Sequence, residues 1–276
     1  MLMPTINILL SQTQNLPNIP EVVRELIQTF NQAEPDLLLI ANKVSKDPVI
    51  SAKLLRLANS ARFGCSREVA SAKEATVRLG TDTVRNMILA SALIESVKPI
   101  PGIDMKHFWA NVFDIAELSK LLALHKGLSG ESIFTCGLMH NIGRLIMHAG
   151  LPANTASYIS DLEKLKGRAA AEKAVVGFTY ADVGAELAKQ WNFPIFICDA
   201  IRHHYNPMKA EVFSLEAALI HIAIELSTLS EPFTDAPPAD WPEKVAEAVG
   251  ITWPECRKIV EIFHAKGCGY DALIAA

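Results

Sequence analysis

No CxxC pair occurs in the 276 residues, and the five cysteines, Cys65, Cys136, Cys198, Cys256 and Cys268, are odd in number and widely spaced. A disulfide framework and a cysteine zinc site are therefore not expected. An excess of one charge is missing too: 26 Lys and Arg stand against 30 Asp and Glu, a formal charge of -4, with no basic tail. Nucleic-acid binders need a basic face to displace counterions from phosphates, so no nucleic-acid partner is expected. Nowhere does an uncharged run of about 18 apolar residues occur, so no membrane-spanning helix is expected. The opening MLMPTINILL lacks a basic region and a small-residue cleavage site and does not read as a secretory signal. A cytoplasmic protein without membrane attachment is the simplest reading. Glycine-rich phosphate loops, fixed-period repeats and strand patterns are absent as well.

What the sequence does have is apolar residues at helical spacing in almost every segment, with hydrophobic residues making up 50% of the chain. A chain of this length buries about three quarters of its unfolded surface, so a core forms without cross-links. The fold class predicted is all-α. Asn18, Pro20 and Glu21 open a first helix through VVRELIQTF, Asp47-Pro48 opens VISAKLLRLANSA, and Ser71 with Glu74 makes a capping box for a short helix ending at Gly80. Thr81 or Thr83 starts a helix to about Val97. The stretch KPIPGID breaks the pattern and places a lobe boundary there. Helices are predicted at 104–126, 131–148, 153–166, 168–176, 180–191, 195–204 and 214–229. A proline-rich linker over 231–242 precedes two more, at 242–249 and 253–266. The resulting division is an N-terminal helical lobe (16–100), a second helical lobe (101–228) and a linker with C-terminal helices (229–276).

Polar residues on apolar helices mark the place where chemistry could reside. On a continuous 131–148 helix, His140 shares a side with Ile133, Cys136, Gly137, Arg144 and Met147, while Phe134, Leu138, Ile142, Leu145 and Ile146 cover the other. Such a helix, apolar nearly all round, should be central and buried. Gly137 and Gly143 leave room beside it for another backbone or a ligand. Asn111 falls within the stripe of Phe108, Ile115, Leu118 and Leu122, and Tyr180 on that of Gly184, Leu187 and Trp191, so both should point inward. These residues suggest a buried polar pocket, although hydrogen-bonded core groups would look the same. His203 and His204 near a helix C-terminus can be explained by the helix dipole alone. Cys136 is expected to be a buried, inert thiol.

The ordered stretches LPNIPEVVRELIQTFNQ, LLLIANKVSKDPVISAKLLRLANSARFG, SAKEATVRLGTDTVRNMILASAL, FWANVFDIAELSKLLA, GLMHNIGRLI, TYADVGAELAKQWNFP and AIRHHYNP resemble the HDOD family, the HD-related output domains of bacterial signalling proteins. The resemblance covers roughly residues 16 to 228. It implies an N-terminal helical lobe packed on a lobe similar to the HD and HD-GYP metal phosphohydrolases. It also implies that Asn111 stands at the first metal-ligand histidine, that His140 is kept, and that Asn141 replaces the eponymous aspartate. Arg144 takes a lysine position, Tyr180 another histidine position, and His203 and His204 match a later pair. Glu225 is the only acid near the position of the final aspartate.

Asparagine cannot bridge metals as a carboxylate does, and arginine does not ligate. The resemblance thus implies a vestigial pocket with no catalytic residues and no cofactor, in a module that acts through contacts with regulatory or signalling proteins. Two alternatives stand beside it. One is a metal-dependent phosphohydrolase, holding Zn, Mn, Mg or Fe on His140, His203 and His204. The other is a sensor of a small phosphorylated ligand or nucleotide.

Overall fold

The computed structural model describes residues 5–12, 27, 48–59, 69–229, 234–266, 270 and 273. Apart from Ile27, the first predicted helix and the motif LPNIPEVVRELIQTFNQ lie outside them, as do the end of the helix opened by Pro48 and residues 230–233 of the linker. Every regular element among the described residues is helical. The N-terminal part holds α1 (Ile6–Gln12), α2 (Pro48–Ala58), α3 (Ala72–Leu79) and α4 (Thr81–Ser96). The middle holds α5 (Met105–His125), α6 (Gly130–Met139), α7 (Ile142–Gly150), α8 (Ala153–Lys166) and α9 (Arg168–Val176). Next come α10 (Tyr180–Gln190), α11 (Ile195–His203) and α12 (Leu215–Ser227), then α13 (Glu243–Val249) and α14 (Trp253–Lys266).

Local chemistry sets these boundaries. Ser71 Oγ accepts the Glu74 amide at 3.1 Å to start α3, the Ser71 half of the predicted box. Gly80, at φ +81°, turns the chain between α3 and α4 in a conformation that L side chains rarely adopt. Asp104 Oδ1 caps α5 by accepting the His107 amide. A complete capping box opens α10, with Thr179 and Asp182 each satisfying the other's amide.

One hydrophobic core runs through the described residues, from Leu9 on α1 to Leu273, and crosses the KPIPGID break. Polar contacts tie α4 to the middle helices: Asn86 Nδ2 donates to Glu131 Oε2 at 2.8 Å and Thr135 Oγ1 donates to Asn86 Oδ1 at 2.6 Å. Glu131 also pairs with Lys120 of α5. α14 packs on α5, and Tyr270 stacks on Phe113 with centroids 4.8 Å apart. No helix among the described residues is long and apolar enough to cross a membrane.

The predicted helix 131–148 is a correction. It is two helices, broken at His140 and Asn141, where Asn141 adopts φ -109° and ψ 3°. The break redirects α7 so that its first turn meets α10 backbone to backbone: a Cβ built on Gly143 would lie 2.0 Å from Tyr180 O and 2.6 Å from Gly184 N. On α6, a Cβ on Gly137 would come within 2.7 Å of Ala116 Cα in α5. Both glycines therefore admit a neighbouring backbone, not a ligand.

Candidate functional site

His140 ends α6 and His204 follows α11, and their rings meet edge to face with centroids 5.3 Å apart. Each is almost wholly buried. His140 Nδ1 donates to Gly137 O at 2.5 Å, and His204 Nδ1 donates to Ile201 O at 2.7 Å, which leaves each Nε2 as the acceptor of a neutral ring. The Tyr180 hydroxyl donates to His204 Nε2 at 2.9 Å. His221 Nδ1 in turn donates to the His204 carbonyl at 2.8 Å.

Burial holds both imidazoles neutral. It lowers His140 to about 4, and it lowers His204 to about 3 with help from the neighbouring His140. Burial also raises the Tyr180 phenol, which remains protonated and donating.

Next to this cluster lies a cavity of about 530 Å³ between the start of α5, α7, α8 and α9. Asn111, Asn141 and Arg144 line it, together with His107, Phe108, Met147 and His148. Its far wall is Ile159, Ser160 and Glu163 of α8 and Arg168 and Glu172 of α9. Glu172 is fully buried, and Arg168 Nε sits 2.8 Å from its Oε1, an ion pair in which the N–H does not point squarely at the oxygen. The other oxygen, Oε2, accepts the Tyr180 amide at 2.6 Å. Arg168 also reaches Glu163 at 3.2 Å. The cavity wall is thereby joined through Glu172 and Tyr180 to His204.

The predicted site residues thus divide. His140, Tyr180 and His204 come together in the core, while Asn111, Asn141 and Arg144 face the cavity. Asn111 is half-buried, a wall residue and not the interior amide expected, because the cavity opens on its side of α5. His203 is half-buried at the end of α11 and does not join the pair. Cys136 is buried as expected, and burial raises its thiol well above the usual range. Sequence reasoning missed Arg168, Glu172, Glu163 and His148. Only the i, i+4 spacing of Arg168 and Glu172 hinted at an ion pair.

The donor set does not fit a metal. Among the described residues no three His, Cys, Asp or Glu side chains are grouped to hold one, so the triad His140, His203 and His204 is not assembled. Both nitrogens of His204 are engaged. Neighbouring positions offer the neutral amides of Asn111 and Asn141 where hard metals need carboxylates. Glu225, one turn beyond His221 on α12, is not among the cavity-lining residues.

Comparison with known proteins gives this arrangement a context. The family model of the HDOD domain matches residues 16–207. A provisionally named phosphohydrolase of Shewanella amazonensis SB2B has a similar structure, with TM-score 0.81 and 30% identity over 96% of this chain and 97% of that one. An HDOD domain protein of unknown function from Geobacter sulfurreducens matches with TM-score 0.77 and 23% identity, covering 98% of this chain and 95% of its own. A provisionally named signal transduction protein of Marinobacter aquaeolei VT8 matches at 0.78 and 20%, covering 97% of this chain and 61% of its own. The last two likenesses speak to the fold alone. This chain spans 38% of one curated relative it matches and 23% of another.

Proposed function

The chain belongs to the HDOD domain family, and from that premise we propose that it is a non-catalytic output module of a bacterial signalling pathway, acting through contacts with other regulatory proteins. The observation that supports this reading most is the state of His204: one nitrogen is spent on Ile201 O and the other receives the Tyr180 hydroxyl. A phosphohydrolase centre needs open imidazole nitrogens and a carboxylate to hold metal and hydroxide, and Asn141 supplies an amide. The polar groups serve instead to lock α6, α10, α11 and α12 into one body. Three buried thiols, Cys136, Cys198 and Cys256, suit a reducing compartment, and the cytoplasm is the proposed location.

Hydrolysis assays on phosphomonoester and phosphodiester substrates with added Mn²⁺ or Zn²⁺ test the proposal. No turnover above background is expected. Turnover that depends on the metal and disappears in His140→Ala would overturn it. Where a partner has been identified, charge reversals on the N-terminal helices are expected to abolish its capture, whereas His140→Ala leaves capture unchanged.

A further inference from the structure

Arg144 makes no ion pair among the described residues, although it lines a cavity walled by two carboxylates of α8 and α9. The reason is that Arg168 engages both of them, reaching Glu163 at 3.2 Å and Glu172 at 2.8 Å. The Arg144 guanidinium therefore lines the cavity without a direct ion pair of its own, and Glu163 and Glu172 act on it only from a distance. Burial first, and the nearby Arg168 second, push its pKa below the usual value, while Glu163 and Glu172 act in the opposite direction. A guanidinium presents a planar fork of donors that matches the oxygens of a phosphate or carboxylate. Beside it the amides of Asn111 and Asn141 can both donate and accept.

We propose that this cavity is a binding site for a small organic molecule with one compact oxyanion head, a phosphomonoester or a carboxylate, gripped by Arg144. The volume of about 530 Å³ lies within the ~300–1,000 Å³ range of small-molecule pockets, so a ligand up to about nucleoside monophosphate size is accommodated. Phe108 and Met147 supply apolar wall for its body. Arg168 is already taken up by Glu163 and Glu172, so Arg144 is the cation the lining leaves for a ligand, which suits one compact anionic head and not a polyphosphate. The inference goes beyond the signalling role, which rests on the imidazole chemistry and survives if the cavity proves empty. The ligand would be that module's input.

Thermal melting of the full chain in the presence of a chelator tests the site. The probes are sodium phosphate, adenosine monophosphate and succinate, each read against sodium chloride at matched ionic strength. At about 10 mM, at least one probe is expected to raise Tm by about 2 °C or more. A response to phosphate or adenosine monophosphate identifies a phosphate head, and a response to succinate alone a carboxylate. Arg144→Gln is expected to abolish the shift relative to its own chloride blank. Asn141→Asp, which places a carboxylate beside the same guanidinium, is expected to do likewise and serves if the first variant fails to fold. No shift with any probe, or a shift that persists in a folded variant, overturns the proposal.

Discussion

His140 and His204 carry the most direct energetic consequence of the site. An unfolded chain takes up a proton at each imidazole below about 6.5, whereas the folded chain resists until about 4 at His140 and about 3 at His204. Between those limits the unfolded state binds more protons, so stability falls as pH drops below about 6.5 and rises again as pH is raised. The slope is roughly 1.4 kcal/mol per pH unit for each histidine. Urea denaturation between about pH 4.5 and 7 is expected to show it, and His204→Gln to remove about half of it; a flat profile in the wild type would contradict the buried neutral pair. Helix spacing turned His140 and Tyr180 inward, whereas His204 at a helix end was explained by the dipole alone, and its place beside the other two is set by the docking of α11. His203 was not separable from His204, since adjacent residues at a helix end differ by about 100° and only the docking of α11 decides which is buried.

At the scale of elements, the break between α6 and α7 is the feature that periodicity could not show. Apolar residues continue at helical spacing through GLMHNIGRLI, so the pattern reads as one helix. The chain turns at Asn141 because the first turn of α7 must lie against α10, and only a glycine at 143 allows that approach. Gly143→Ala is expected to destabilise by roughly 1–3 kcal/mol, since its Cβ would meet backbone atoms that cannot move aside cheaply. A drop in Tm of several degrees checks this, and an unchanged Tm would show that the helices separate freely. Arg168 and Glu172 escaped sequence reasoning for a related cause. On α9 alone they form an ordinary surface pair, and their place in the cavity wall depends on how α9 folds back against α10.

For the whole molecule, α1 was not anticipated, and 131–148 is two helices instead of one. The all-α class and, among the described residues, most helix boundaries from α2 onward could be read from spacing and caps, because those signals are local. The role of the C-terminal helices could not. Tyr270 stacks on Phe113, and α14 reaches α5 through His125 and Glu255, contacts that join residues more than a hundred positions apart. Helices, caps and backbone-tight crossings here support one body around a shared core. In that body His140 and His204 meet ring to ring, and His204 is held by Tyr180 and by Ile201 O; the proposal is that these imidazoles are structural and hold no metal. Elemental analysis of protein purified without a histidine tag or chelator, for the wild type and for His140→Ala/His204→Ala, tests this most directly. The account predicts substoichiometric metal that is equal in both proteins. One or two equivalents of a divalent metal in the wild type, lost in the variant, would contradict it.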